Sequence, residues 1–136
     1  MKKKEESRVR SGTPLGIRES LKKAVTEMLV LFVLQDRPMY TYEISQQLEK
    51  LSDKKITFNT LYPAIYRLQG FGYIAEHESI TVDSRVRNYY ACTPEGKVYL
   101  DSIIKEYQSF TSTIAEIMGW SNMEGAGNNG KRTGGI

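Results

Sequence analysis

The chain has 136 residues, 40% of them hydrophobic, which is enough for one domain of ordinary size with a modest core. One cysteine and one histidine exclude an intrachain disulfide framework and the usual Cys/His metal clusters, so we expect neither a metal nor a cofactor. The longest apolar run, residues 28–34, is far shorter than the about 20 residues that span a bilayer. We therefore expect a soluble, cytoplasmic protein.

The net charge of +3 is unevenly distributed along the chain. Residues 1–23 hold eight Lys/Arg against three Glu, whereas the remaining chain holds eleven Lys/Arg against thirteen Asp/Glu. Residues 1–19 are polar and interrupted by Gly12, Pro14 and Gly16, which predicts a flexible basic arm over this range. Such an arm can hold a phosphate backbone or simply keep a chain end in solution, and composition does not decide between the two.

Two helices are predicted next. From about Ser20 to Gln35, apolar residues follow helical spacing, and the sequence Asp36-Arg37-Pro38 ends the helix. Thr41 is the predicted cap of the second helix, and Glu43 is favourably placed in its first turn. The predicted inner face of this helix consists of Ile44, Leu48 and Leu51. A turn at residues 52–55 follows.

A third helix is predicted from a cap at Thr57 to about Gly70. Its inner face consists of Leu61, Ile65 and Leu68. Since each residue advances 100° around a helix, the opposite side collects Asn59, Pro63, Tyr66 and Gly70, flanked by Thr60 and Arg67 on one edge and Tyr62 and Gln69 on the other. Pro63 therefore points away from the core, and the hydrogen bond it removes lies early in the helix.

The rest of the chain predicts a hairpin and a long helix. Strands are expected over 73–80 and 86–93, joined by the loop TVDSR. Thr93-Pro94 then begins a helix that continues to about Trp120. Its apolar residues recur at steps of 3, 4, 3, 4 and 3, as in a coiled-coil seam: Leu100, Ile103, Tyr107, Phe110, Ile114 and Ile117.

The order helix, helix, helix, hairpin, long helix predicts a mainly α, α+β winged helix with a three-helix helix-turn-helix core and a two-stranded β-wing. We expect this DNA-binding domain over residues 20–93 and a C-terminal dimerisation helix over 94–120. The Gly- and Asn-rich tail, residues 121–136, is expected to be disordered.

The third helix and the hairpin carry the chemistry of a DNA-binding site. Asn, Thr, Tyr and Arg side chains bond base edges and phosphates, and two arginines two positions apart project to one side of a strand. Each of these groups can instead belong to an ordinary solvated surface, and this alternative is strongest for Lys54 and Lys55 in the turn before the third helix. The candidate DNA-binding residues are Asn59, Thr60, Tyr62, Tyr66, Arg67, Lys54, Lys55, Arg85 and Arg87.

The seam of the last helix needs a partner, because six apolar residues on one stripe are not left in water. Packing against the first helix of the same chain is one solution, and a second copy of the chain is the one we expect. Tyr107, Phe110 and Trp120 can also line a pocket for an aromatic or hydrophobic effector, although aromatic residues at helical spacing are often plain core.

Three segments resemble the PadR family of bacterial transcriptional regulators: residues 41–44 (TYEI), residues 59–68 (NTLYPAIYRL), and residues 88–96 (NYYACTPEG). The resemblance implies a homodimeric winged-helix repressor whose third helix reads the major groove and whose wing lies along the backbone. It also implies that the C-terminal helix dimerises with help from the first helix. Thr41 stands where the family often has glycine, and residues 84–88 (SRVRN) stand where it often has Gly-Arg-Pro-Arg-Lys.

Two other classes of function are alternatives to a DNA-binding regulator. An enzyme is disfavoured, because His77 and Cys92 are accompanied by no glycine-rich phosphate loop, nucleophile elbow or metal-ligand spacing. A winged-helix protein-interaction module would use the same fold without DNA. That module predicts no salt-dependent DNA binding, and it predicts tolerance of changes at Thr60, Tyr66 and Arg67.

Overall fold

The computed structural model describes residues 10–120. Four helices and one antiparallel hairpin follow in chain order: α1 (Pro14–Val33), α2 (Thr41–Leu51), α3 (Tyr62–Gly70), β1 (Ile74–Val82), β2 (Arg85–Cys92) and α4 (Pro94–Met118). This order confirms the predicted class, a mainly helical α+β winged helix. The expectations for residues 1–9 and for the tail, 121–136, lie outside the described residues. Over residues 10–120, no helix has the length and apolarity needed to cross a membrane.

Helix α1 begins at Pro14, six residues earlier than the predicted start at Ser20, so residues 14–19 are helical rather than part of an arm. The side chain of Thr13 caps the helix by accepting a hydrogen bond from the backbone N–H of Gly16 at 3.0 Å. Pro14 occupies the first turn, where its missing N–H costs no helical hydrogen bond. A proline that resembles a helix breaker is here part of a start signal.

Helix α3 also differs from its prediction, because it begins at Tyr62 and not after a cap at Thr57. Pro63 therefore lies in the first turn, where it interrupts no intrahelical hydrogen bond, so the predicted loss of a hydrogen bond does not occur. Asn59 and Thr60 belong to the loop before the helix. In α2, Glu43 accepts a hydrogen bond from the backbone N–H of Tyr40, so the cap position is Tyr40 rather than Thr41.

Strand β1 is one residue longer than predicted and β2 begins one residue earlier, so the strands are joined by two residues only, Asp83 and Ser84. Both residues have positive φ angles, 51° and 65°, as a type I′ turn requires. The register pairs Val82 with Arg85 and continues to Ile74 opposite Cys92, with a bulge between Glu76 and Glu78. A bridge from Met39 to Tyr90 ties the base of the wing to the segment before α2.

The core of residues 1–100, the first of two compact units, lies where α1, α2, α3 and the base of the wing meet. Ile44 and Leu48 of α2 are buried as predicted, whereas Leu51 is exposed at the end of that helix. The largest fully buried side chains come from every one of these elements: Val30, Leu31, Met39, Ile44, Ile65, Leu68 and Ile74.

The start of α4 is packed closely against the start of the wing. Thr93 caps the helix as predicted, since its hydroxyl accepts from the backbone N–H of Gly96 at 3.0 Å and donates to the carbonyl of Gly72 at 2.7 Å. The rings of Tyr73 and Tyr99 stack with centroids 4.2 Å apart. A Cβ on Gly96 would overlap the carbonyl oxygen of Tyr73 and would lie 2.9 Å from Sγ of Cys92.

We predict that Gly96→Ala lowers the free energy of unfolding by about 1–3 kcal/mol, because the added methyl group overpacks this junction. Gly70→Ala is the matched control: an added Cβ there meets nothing within 4 Å, and we expect a gain of about 0.4–1 kcal/mol. Urea denaturation followed by circular dichroism measures both. Equal stability of the two variants would mean that the junction is not tightly packed.

Candidate nucleic-acid interface

The outer face of α3 is rich in aromatic and polar side chains. Burial of Leu61, Ala64, Ile65 and Leu68 turns the opposite side of this helix toward solvent. Tyr62 and Tyr66 are 52% and 61% exposed, and their ring centroids are 6.0 Å apart. The predicted division between inner and outer faces is therefore present, with a phenol hydroxyl available at each of the two outer tyrosines.

The polar residues assigned to the start of this surface lie in the connection from α2. Asn59 and Thr60 are exposed in the loop immediately before α3. Lys54 and Lys55 are exposed in the turn that ends α2, where Lys54 has a φ of 64°. The backbone carbonyl of Lys55 accepts a hydrogen bond from the guanidinium of Arg18 in α1. This bond ties the basic turn to α1.

Arg67 is held in an ion pair that sequence analysis did not identify. Its Nε donates to Oε2 of Glu27 in α1 at 2.5 Å. The remaining guanidinium N–H groups are still available, since Arg carries five donors in a fixed fork. Arg67 is therefore oriented by α1, and Glu27 also faces Tyr99: burial, followed by the negative charge of Glu27, raises the pKa of the Tyr99 hydroxyl.

The two wing arginines have different surroundings. Arg87 is half-buried: its Nη1 donates to the hydroxyl of Tyr40 at 2.9 Å, and its guanidinium carbon lies 4.7 Å from the centre of the Tyr40 ring. Arg85 is exposed beside the turn and makes no side-chain hydrogen bond or ion pair within residues 10–120. Their separation by two positions in β2 places both on one face of the wing.

A cleft of about 440 Å³ separates the wing from the helix-turn-helix. One wall comes from β2, with Arg85, Arg87 and Asn88, and the other includes Tyr62 at the start of α3. Its remaining lining residues are Tyr40, Thr41, Tyr42, Val86 and Tyr90. The cleft brings Tyr62 and the two wing arginines onto one continuous surface. It leaves the Lys54–Lys55 turn outside its walls.

Tyr90 forms the floor of this surface. Burial raises the pKa of its hydroxyl, and a side-chain hydrogen bond with Asn88 partly offsets that effect. A phenol is protonated at neutral pH, so the hydroxyl of Tyr90 has a proton to donate. The carboxamide oxygen of Asn88 accepts from Ser79 across the hairpin at 2.9 Å, which orients the amide.

Two residues that organise the surface, Tyr40 and Glu27, had no sequence signal as site residues. Tyr40 orients Arg87 from 47 positions away, and Glu27 orients Arg67 from 40 positions away. Contacts at such separations depend on the packing of whole elements.

The seam residues of α4 do not form one uniform group. Leu100 belongs to the first compact unit and is only 2% exposed, so it is part of the core and not a surface for a partner. Ile103 is half-buried. Within the second unit, residues 101–136, the described seam side chains are exposed, with Phe110 at 63% and Ile117 at 73%. Tyr107, Ile114 and Trp120 are exposed as well.

No group of three or more His, Cys, Asp or Glu side chains within the described range could hold a metal ion. The arrangement of a helix-turn-helix beside a two-stranded wing defines a winged-helix protein. Residues 30–102 match the model of the transcriptional regulator PadR-like family. The chain belongs to this family, whose members are transcriptional regulators and not enzymes.

Solved structures support the same assignment. A transcriptional regulator from Clostridium thermocellum is 27% identical, with a TM-score of 0.66 over 71% of this chain and 96% of that one. A PadR family transcriptional regulator from Eggerthella lenta is 28% identical, with a TM-score of 0.65 over 75% of this chain and 88% of that one. The uncharacterized protein X of Lysinibacillus sphaericus is 27% identical over 100 residues, covering 72% of this chain and 92% of that protein.

We predict a coupling free energy of about 0.2–1 kcal/mol between Glu27 and Arg67, because the distance between Nε and Oε2 is short but both side chains are partly exposed to solvent. A double-mutant cycle of Glu27→Gln, Arg67→Gln and the double variant measures it by urea denaturation. The same cycle on Asp36 and Arg37, an exposed pair of adjacent residues at 3.0 Å, is the comparison and should give a smaller value. Additive effects at positions 27 and 67 would show that α1 does not orient Arg67.

Proposed function

We propose that the protein is a homodimeric repressor that binds a pseudo-palindromic DNA operator through α3 and the wing. The observation that carries the proposal is the surface on which the exposed tyrosines of α3 lie beside the arginines of β2, across the cleft described above. Membership of a family of transcriptional regulators supports a DNA partner. A protein-interaction module would have no need of a cationic wing next to hydrogen-bonding groups on α3.

In this proposal α3 enters the major groove. Tyr66 on the outer face, and Asn59 and Thr60 in the preceding loop, are the candidates for base and phosphate contacts. Tyr62 lies on both the outer face of α3 and the wall of the cleft, which suits a phosphate between the helix and the wing. Arg67, Lys54 and Lys55 complete the proposed set, with Arg67 oriented by Glu27.

The wing supplies the cationic partner of the DNA backbone. Arg85 is exposed at its tip, and Arg87, two residues further along β2, is held by Tyr40, so the two guanidinium groups address different phosphates or different edges of one groove. Holding Arg87 in place lowers the conformational entropy lost on binding.

Two exposed apolar stripes support the proposed homodimer. The first lies on α4 and includes Tyr107, Phe110, Ile114 and Ile117. The second lies on α1, where Ile17, Leu21 and Phe32 are exposed. Large exposed apolar surfaces mark protein interfaces, so each stripe is a candidate surface for a second copy of the chain. The two α3 helices of such a dimer would enter successive major grooves about 34–36 Å apart.

The test is fluorescence anisotropy of the full chain on its own upstream DNA and on a scrambled control, each at two salt concentrations. Tight binding to the upstream DNA with two chains per site, and weak salt-sensitive binding to the control, supports the repressor. Equally weak binding to both calls for selection of a preferred site from random DNA. Absence of binding to any DNA at either salt concentration favours the protein-interaction module.

We predict that replacing Arg85 and Arg87 together by Ala weakens binding to all DNA and lowers the salt slope of log affinity by about 1.8, or about 0.9 per phosphate contact. Arg85→Ala alone should lower the slope by about half as much without disturbing the contact of Arg87 with Tyr40. Lys50→Gln with Lys105→Gln removes the same charge from exposed positions on α2 and α4. An unchanged slope in the arginine variants would remove the wing from the interface.

We predict that Phe110→Glu with Ile117→Glu converts the dimer into a monomer, because four carboxylates would be buried in one interface. Both side chains are exposed in the single chain, so the substitutions leave its own core intact. Replacement of Ile103 and Phe110 by Glu should have the same effect on assembly, with an added cost in stability from the half-buried Ile103. Gln108→Glu, a charge added at another exposed position of α4, should leave the dimer unchanged. Sedimentation of the Phe110/Ile117 variant as a dimer would place the interface elsewhere.

We also propose that a hydrophobic or aromatic effector binds this protein and contacts Tyr107, Phe110 and Trp120. All three rings are exposed in the single chain, and a dimer would bring two copies of each together. Trp120 is the only tryptophan in the chain, so its emission reports directly on this region. Quenching or a blue shift on titration with planar aromatic compounds, together with weaker operator binding, supports an effector. An unchanged spectrum assigns the rings to the interface alone.

A further inference from the structure

A second cleft, of about 290 Å³, lies between α1 and the loop that precedes α3. Its α1 wall consists of Glu19, Lys22, Lys23 and Thr26, and its other wall consists of Phe58, Asn59 and Thr60. The cleft is separate from the one beside the wing and shares no lining residue with it. Asn59 and Thr60 lie immediately before α3, so the cleft is next to the start of the outer face of that helix.

The cation at the base of this cleft is held in a defined position. The ammonium group of Lys22 lies 5.3 Å from the centre of the Phe58 ring and 3.4 Å from Oε2 of Glu19. Its side chain is only 17% exposed, which is low for a lysine outside a protein core. An ammonium group has three donors, so the contact with Glu19 leaves further N–H groups for an anion.

The rim of the cleft carries donors that the described part of the chain leaves unused. Lys23 is exposed and makes no ion pair there. The side chains of Asn59 and Thr60 donate no hydrogen bond within residues 10–120. The hydroxyl of Thr26 donates to the carbonyl of Lys22 at 2.6 Å, so it shapes the wall instead of contacting a ligand. Residues that carry two ammonium groups, an amide and a hydroxyl therefore line one opening.

We infer that this cleft binds a phosphodiester of the operator, at the edge of the major groove that α3 enters. Lys22 and Lys23 supply the charge, and Asn59 and Thr60 supply the neutral donors. The hydrogen bond from Arg18 to the carbonyl of Lys55 holds the basic turn against the same helix. Helix α1 thereby acts as a third DNA-contacting element beside α3 and the wing. The inference rests on the proposed function.

The carboxylate of Glu19 provides a further test, because Glu19 lines a cleft that we propose binds an anion. It fixes the position of Lys22 but also repels a phosphate. Removing its charge with Glu19→Gln should therefore tighten DNA binding several-fold, whereas removing the lysine charges should weaken it. Glu106→Gln, at an exposed position of α4, changes the net charge equally and should have a smaller effect.

The experiment compares wild type, Lys22→Gln/Lys23→Gln and the control Lys50→Gln/Lys105→Gln by anisotropy on the operator, from 50 to 200 mM salt. We expect the salt slope of the cleft variant to fall by about 0.9 per phosphate lost, so that its affinity drops about 3.5-fold less across this range than that of wild type. The control should keep the wild-type slope. Lys23→Gln alone leaves the contact of Lys22 with Phe58 intact. A lower salt slope in this single variant therefore cannot be attributed to a folding defect caused by loss of that contact.

A set of operator duplexes, each with one neutral methylphosphonate, then locates the contact. Neutralising one flanking phosphate should weaken the binding of wild type. The same duplex should bind the cleft variant as well as the unmodified operator does, because that variant has already lost the contact. Failure of wild type to bind any DNA overturns the proposed function itself. Normal binding of wild type with an unchanged slope in the cleft variant overturns only the site on α1.

Discussion

The orientation of α3 depends on the burial of four apolar side chains, Leu61, Ala64, Ile65 and Leu68, against α1 and the base of the wing. Each buried Leu or Ile is worth about 1.5–3 kcal/mol relative to exposure. A rotation of the helix by one residue, 100°, would expose part of this set and bury the polar ring of Tyr66. The inner face therefore determines which side chains can reach a partner. The proposed interface on the outer face consists of residues that do not pack in the core.

Contacts from distant elements then determine how the charged groups of the surface are presented. Glu27 holds Arg67 from α1, and Tyr40 holds Arg87 from the segment before α2. Arg85, in contrast, is exposed beside the turn and has no side-chain hydrogen bond or ion pair within residues 10–120. The surface thus combines two guanidinium groups held by other side chains with one that is not. Less conformational entropy is lost when a held group binds a partner, so Arg67 and Arg87 have this advantage over Arg85.

Most of the fold could be predicted because its signals are local. Apolar spacing identified the inner face of α3, and Thr93-Pro94 identified the start of α4. Two errors concern proline: the sequence predicts that Pro14 interrupts a flexible arm and that Pro63 removes a hydrogen bond within a helix, whereas each lies in a first helical turn. The candidate site was predicted as a list of side chains, and the structure shows which elements carry them. The partners Glu27 and Tyr40, and the burial of Leu100, depend on tertiary packing that no local pattern specifies.

The two-residue turn at Asp83 and Ser84 has a consequence for how the wing can change over evolution. Side chains alternate between faces along a strand, so a slip of β2 by one residue against β1 would reverse its faces. Arg85 and Arg87 would then move from their present face to the face now occupied by Val86 and Asn88. The type I′ turn opposes such a slip, because it leaves no spare residue between Val82 and Arg85. A longer loop at this tip would relax that constraint and allow a pairing in which the charge pattern of the wing is inverted.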